Sequence, residues 1–312
     1  MSELTGILIG HETDEDNNTG CTVFLCPEGT IGGVDVRGPA PGSRETEILS
    51  PYKRVNTINA VLLSGGAAFG LAAADGVVNF LSERNIGHQT LKRKVPIVSA
   101  AVVNDMLLSG GYNPPGPNMG YAACQNASNA EPALGNVGAG TGTTVGKWHG
   151  FETMMKGGFG YAENDVNGLT VFAAAVTNCV GDIVNDDGTT LAGARSADGT
   201  WLSLRDPFRQ FPPFPPSIRE GNTTLIVVGT NALMTKVEAN RLAQRAHDGM
   251  AIAVRPVHTS FDGDAAYALA TCSVEAPFDL VANVAVVTVA EAIRCSVRNA
   301  ASRGDIPGLA DH

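Results

Sequence analysis

A threonine that carries a free α-amino group holds its own base. The amine, with an ordinary pKa of about 7.7–8.0, can take the hydroxyl proton as the oxygen attacks an amide carbonyl. An internal threonine gains that amine only when the chain is cut in front of it. One stretch of this 312-residue sequence has the form such a cut requires: Glu220-Gly221-Asn222-Thr223-Thr224-Leu225-Ile226-Val227-Val228. A proline-rich run stops before it and a β-branched strand starts after it. The expectation is a self-cleavage point between Asn222 and Thr223, with Thr223 as the nucleophile. Taken alone, Asn-Thr before a strand is a turn feeding a strand; the weight of the reading comes from elsewhere in the chain.

Four further side chains could serve such a centre. Residues 138–147, Gly-Ala-Gly-Thr-Gly-Thr-Thr-Val-Gly-Lys, look like a phosphate loop but depart from it. Thr141 stands five before Gly146 and Trp148 follows Lys147 where Ser or Thr is required. The stretch is instead a tight glycine turn presenting Lys147, unless that lysine is only a surface residue. Asn178 closes an apolar run and can aim its amide at a reacting carbonyl, or simply cap a turn. Asp262-Gly263-Asp264 places two carboxylates around a glycine: a solvated turn, a metal site, or a pair that orients a catalytic group. Gly65 and Gly66 open a turn between a buried strand and a helix of small residues. Neither the dinucleotide-binding glycine pattern nor a P-loop is present there. Small residues allow close packing of helix on sheet, and the glycine N–H groups are candidates to face a substrate.

The elements that must position these groups alternate in type. Strands are expected at residues 5–10, 21–26, 57–63, 95–98, 169–176 and 223–230. A helix follows Gly66, another runs from Thr235-Lys236-Val237-Glu238, a capping box, to about Met250, and a third spans residues 282–297. Residues 14–18 read as a polar turn, 32–42 as glycine- and proline-rich loop, and 110–136 as loop with a short helical piece. Residues 206–217, with five prolines among three phenylalanines, read as an extended connector whose position would let new chain ends separate. The class is α/β.

Composition narrows the function. Hydrophobic residues make up 44% and charged residues 17%, a balance that supports a packed core. A net charge of −10 with no basic cluster argues against nucleic acid as a partner. The start Met1-Ser2-Glu3-Leu4-Thr5 has no signal-peptide pattern, and no apolar run reaches the roughly 18 residues of a membrane span. Six cysteines without a Cys-x-x-Cys pair fit free thiols in a reducing cytoplasm. No His-x-x-x-His pair occurs, so neither metal nor other cofactor is expected.

Residues 63–81, 138–147, 176–181 and above all 220–270, in this order, resemble one family: the DmpA-type aminopeptidases, β-aminopeptidases and nylon-oligomer (6-aminohexanoate-oligomer) endo-hydrolases. Gly221-Asn222-Thr223-Thr224 followed by His258-Thr259-x-x-Asp262-Gly263-Asp264 looks most like the nylon-oligomer branch. The resemblance implies a four-layer αββα sandwich, with residues 1–312 as one hydrolase domain processed into 1–222 and 223–312, and a homotetramer. It implies that Thr223 is the nucleophile and its freed amine the base. It implies that Asp262 and Asp264 orient that terminus, and that Lys147 and Asn178 line the site, Asn178 as an oxyanion donor. Nylon-oligomer relatives carry a tyrosine where Asn104-Asp105 stands here, and Tyr112 is out of register with it. Asn104 is therefore expected to face the substrate. Acidic site residues suit a small amide or peptide with a free amino group, hence an aminopeptidase or ω-amino-amide hydrolase. The alternative readings are an uncut binding or scaffold protein of the same fold, or a nucleotide enzyme using residues 138–147.

Overall fold

Two five-stranded sheets carry the chain, and the computed structural model describes them within residues 5–110, 113–202 and 221–311. The proline-rich connector and Tyr112 lie outside the described residues. The principal strands are β1 (Leu8–Asp14), β2 (Thr19–Leu25), β3 (Ile31–Val36), β4 (Ser43–Arg44), β5 (Ala60–Ser64), β6 (Val98–Val102), β7 (Gly158–Val166), β8 (Leu169–Asn178), β9 (Thr223–Ala232) and β10 (Ala265–Val274). The main helices are α1 (Ala73–Glu83), α2 (Pro117–Gln125), α3 (Lys236–Ala253) and α4 (Phe278–Arg298). One sheet runs β1-β2-β5-β6-β4 and the other β7-β8-β9-β10-β3.

Leu225-Ile226-Val227-Val228 is apolar at every position, as a strand must be when both its faces are covered. Leu225 and Val227 enter the layer between the sheets, beside Phe24, Val61, Phe172 and Tyr267. Ile226 and Val228 turn to the other face, where they meet Leu242, Ala246 and Val289 of α3 and α4. On the far side of the first sheet, Val23, Leu62 and Ala100 pack on Ala74, Val77 and Ala123 of α1 and α2. Three cores thus separate four layers in the order α, β, β, α, as the resemblance implied.

Small residues set how closely the layers approach. A Cβ on Gly160 of β7 would lie 2.0 Å from the Ala292 carbonyl of α4, and one on Gly33 of β3 would lie 2.3 Å from the Ala239 carbonyl carbon of α3. That second contact explains a correction. Residues 32–42 read as loop, yet Ile31–Val36 is the edge strand of the second sheet, antiparallel to β10. Its glycines are there for close packing rather than for turning, Gly33 against α3 and Gly32 against the side chains of Leu49 and Ile58. The strand read at 95–98 lies further on: Val98–Val102 is the buried strand, while Val95 belongs to a short exposed hairpin with His88. β7, which pairs along its whole length with β8, was not legible. Its Tyr-Ala-Glu-Asn-Asp half reads as polar surface, because only one end of the strand is buried.

Two strand pairings fix the site. β9 and β10 are parallel, joined through α3, so both start at the same edge. β8 is antiparallel to β9, so it ends where β9 begins. Helix α3 opens with the expected capping box: Glu238 N donates to Thr235 Oγ1, and Thr235 N to Glu238 Oε2 at 2.8 Å. α4 has the length and apolarity of a membrane span, but two thirds of that stretch is buried, facing the second sheet and α3.

Candidate active site

Thr223 is the first residue of β9, is 5% exposed, and sits at the sheet edge where β8 ends and the turn before β10 closes. Its Oγ1 donates to the carbonyl oxygen of Asn222 at 2.5 Å, against the very peptide group a cut would open. The same carbonyl accepts the Gly263 N–H at 3.0 Å, as part of a parallel bridge between Asn222 and Asp262.

Asn178 ends β8 opposite Thr223 and is fully enclosed. Its Oδ1 accepts the Thr144 N–H at 3.0 Å and Lys147 Nζ at 3.1 Å. Its Nδ2 donates to Gly221 O at 2.8 Å and Asn104 O at 3.1 Å. Lys147 Nζ donates also to Asn178 O and Gly221 O, each at 3.2 Å. This lysine is no surface residue: it is 2% exposed, and burial pulls its ammonium down to about 8 against the charge of Asp262. The turn that presents it is held from beneath by a second buried lysine, Lys156, whose Nζ donates to Thr141 O at 2.9 Å and Thr143 O at 2.6 Å.

The two carboxylates have different surroundings. Asp264 accepts the Thr224 N–H at 2.6 Å on one oxygen and His258 Nδ1 at 2.7 Å on the other. Asp262 Oδ2 accepts the Thr259 N–H at 2.8 Å and Thr259 Oγ1 at 2.6 Å. Its Oδ1 is buried without a hydrogen-bond partner among the described residues. Burial, then the charge of Asp264, pushes the Asp262 carboxyl up to about 6. Both are buried, so the solvated-turn reading of residues 262–264 does not hold. Among the described residues, no three His, Cys, Asp or Glu side chains converge as a metal site.

Two cavities flank the Gly221-Asn222 segment. One, of about 330 Å³, is lined by Pro41, Ala67, Ala68, Val102 and Phe261 with Thr223 at its base. The other, of about 220 Å³, is lined by Met106, Leu107, Thr144, Lys147 and Phe151. Asn104 and Gly221 border both. The structure thus brings Thr223, Asn222, Lys147, Asn178, Asp262, Asp264 and Asn104 into one place. Gly65 and Gly66 are beside it but play a different part. Gly65 N donates to Gly20 O at 2.9 Å and Gly66 N to Asp105 Oδ1 at 2.8 Å, so neither N–H is available to a substrate. Instead they shape the turn that puts Ala67 and Ala68 on the cavity wall.

Three residues that the sequence reading named only within its motifs, without a role, take part in the site. Asp105, buried and bonded to Gly66 N and Thr19 Oγ1, fixes the Asn104 turn; burial raises its pKa. His258 holds Asp264, and its position six residues before that aspartate was the available signal. The Gly263 N–H is a backbone group and carries no signal beyond the glycine itself.

A sequence profile described as Peptidase family S58 matches residues 1–305. An uncharacterized aminopeptidase of Mycobacterium leprae is 39% identical over 303 residues, covering 88% of this chain and 79% of that protein. A 6-aminohexanoate-oligomer endohydrolase of Paenarthrobacter ureafaciens is 33% identical over 279 residues, covering 88% and 76%. Among solved structures, the L-aminopeptidase D-Ala-esterase/amidase of Ochrobactrum anthropi superposes with a TM-score of 0.71 at 20% identity, over 95% of this chain and 84% of that one. That structure is described as a variant of the Ntn-hydrolase fold. A Burkholderia sp. beta-aminopeptidase gives 0.69 at 20% identity, over 94% and 84%.

Proposed function

The chain belongs to peptidase family S58, and from that premise we propose that it is a self-processing amide hydrolase whose nucleophile is Thr223. The observation that carries the reading is the contact of Thr223 Oγ1 with Asn222 O at 2.5 Å, inside a buried cluster of Lys147, Asn178, Asp262 and Asp264.

In the first reaction the Thr223 oxygen attacks the Asn222 carbonyl carbon. The C–N bond breaks, the hydroxyl proton passes to the departing nitrogen, and an ester joins Asn222 to Thr223. Water then releases Asn222 as a carboxylate, leaving chains of residues 1–222 and 223–312. The new α-ammonium group arises next to Asn222, which bridges to Asp262, whose buried Oδ1 has no hydrogen-bond partner among the described residues and is the acceptor we assign to it. Asp264, fixed by Thr224 N and His258, holds the start of β9 in place. In turnover the amine takes the hydroxyl proton as Thr223 attacks a substrate amide, and later returns it to the leaving amine. Asn178 Nδ2 is the side-chain oxyanion donor of that step.

The substrate class is a small amide or peptide with a free amino group, the buried carboxylates supplying the countercharge. The relatives' names, an aminopeptidase and a 6-aminohexanoate-oligomer endohydrolase, support both aminoacyl and 6-aminohexanoyl amides. Asn104, on the border of both cavities, is a substrate contact. A homotetramer in the cytoplasm completes the proposal, and sedimentation of the purified chain reads its size. The deciding experiment is the intact mass under denaturing conditions, with amide turnover measured on the same sample. Two species meeting between Asn222 and Thr223, together with release of p-nitroaniline from an aminoacyl or 6-aminohexanoyl anilide, are expected. A single full-length species without activity would return the chain to the scaffold reading.

A further inference from the structure

Cutting and turnover each create a negative oxygen on a tetrahedral carbon, and each needs a donor aimed at it. The uncut chain shows where the donors are during the first reaction. Lys147 Nζ and Asn178 Nδ2 are both on the carbonyl of Gly221, one residue before the bond that would break, at 3.2 and 2.8 Å. The Asn222 carbonyl, which would bear the charge, receives the Gly263 N–H at 3.0 Å. We propose that the backbone N–H of Gly263 is the oxyanion donor for the cutting of the Asn222–Thr223 bond, while the Gly221 carbonyl keeps Lys147 and Asn178 from that step. This rests on Thr223 being the nucleophile and names a catalytic group for its first reaction.

The surroundings of Gly263 are built for this contact. A Cβ there would lie 2.8 Å from Thr223 Oγ1 and 2.6 Å from the Ala40 carbonyl, so any other residue would push against the attacking hydroxyl. The peptide group that carries the donor is pinned from its other side, where Asp262 O accepts the Ala40 N–H at 3.1 Å. A donor held this way spends nothing on reorganisation as charge develops. Once the chain parts at Asn222, the Gly221 segment is free to withdraw. Lys147 and Asn178 then face the space where the two cavities adjoin, both of which Asn104 borders.

The test replaces one atom group. Full-length chain made by cell-free translation, with glycolic acid in place of Gly263, has an ester oxygen where the N–H stood and no change of side chain. Cutting is followed by denaturing gel and intact mass, against wild type and Thr223→Ala. Loss of one such donor is expected to slow the appearance of the two fragments by about 10²–10³-fold. An ester also weakens the Asp262 carbonyl as an acceptor, so a second chain carries lactic acid at Ala40, which removes the N–H bound to that carbonyl. It is expected to cut at close to the wild-type rate. Glycolate at 263 cutting as fast as wild type, or lactate at 40 slowing the cut equally, overturns the donor assignment and leaves Thr223 untouched. Wild-type chain that stays whole overturns the nucleophile and the donor together.

Discussion

Asn178 and Thr223 are the last pair of the antiparallel ladder between β8 and β9, the end of one strand set against the beginning of the next. The amide of one and the hydroxyl of the other are therefore held by two fully buried strands rather than by loops. The parallel neighbour β10 starts at the same edge, with Leu225 beside Ala265, which brings Asp262 and Asp264 to the same place. Groups on rigid elements hold the sub-ångström geometry that a nucleophile needs. Lys147 and the two aspartates come from turns: the first turn is held by Lys156, the second by the parallel bridge between Asn222 and Asp262.

Thr223→Ala is expected to leave one species of full-length mass, with no amide hydrolysis. Thr223→Ser keeps a hydroxyl at the same place and is expected to cut. Time-resolved intact mass reads both. An alanine chain that still parts at Asn222 would transfer the chemistry to another group.

The pH dependence of turnover is set on its acid side by Asp262. Its carboxyl is raised to about 6, so the folded chain binds more protons than the unfolded one between about pH 4 and 6. The sign follows: this group contributes stability at low pH that is lost as pH rises through 6, while its charge, needed opposite the new ammonium, is gained. In the cut chain the new ammonium draws this carboxyl back down, so kcat/KM is expected to rise along an acid limb whose midpoint lies below the uncut chain's value of about 6. Asp262→Asn should abolish that limb and lower the plateau by about 10²-fold or more. A limb that persists in the variant assigns it to a different group.

Lys147 has the opposite sign. Its pKa falls from 10.5 to about 8 on burial, so the folded state binds fewer protons than the unfolded state across that window. Unfolding free energy should therefore rise with pH between 8 and 10.5, by up to about 3 kcal/mol at 1.4 kcal/mol per unit. Lys147→Met removes this slope. Urea titrations of both proteins at pH 7 to 10 should show wild type gaining on the variant as pH rises. A constant difference would mean that the ammonium is not desolvated.

Much of this centre was legible because chemistry-bearing residues sit next to strong local signals. Asn222-Thr223 lies between a proline run and an apolar strand, Asn178 ends a second such strand, and Asp262-Gly263-Asp264 precedes a third. Their convergence was not legible from spacing, because it depends on which strands pair and in which direction. The resemblance supplied that. Gly65 and Gly66 misled because a glycine N–H has no fixed partner in sequence; here Gly20 and Asp105, far along the chain, take them. Strand β3 was hidden for a similar reason: Gly32 and Gly33 answer to the side chains of Leu49 and Ile58 and to the backbone of α3, all remote in sequence.

Gly229 offers a way to separate the stability of β9 from its chemistry. It lies opposite Phe172 in the β8–β9 ladder, with the Phe172 ring over it, so that an added Cβ would stand 2.0 Å from Cε1. Backbone conformation is no obstacle, since Gly229 is in ordinary strand geometry; the cost of Gly229→Ala is overpacking alone. The ring can yield only by pressing on its stacked neighbour Tyr161, 5.6 Å away between centroids, or into the packed space between the sheets. Such insertions cost about 1–3 kcal/mol, which for a chain of this size is a fall in Tm of roughly 2–4 °C per kcal/mol. Thr223 is six residues up the strand, beyond the reach of the strain, since five intervening ladder pairs hold the register. Gly229→Ala should therefore melt earlier yet cut at the wild-type rate at 20 °C or below. A variant that melts normally would mean that the ring has room to move. One that folds but fails to cut would mean that strain in this strand reaches the nucleophile.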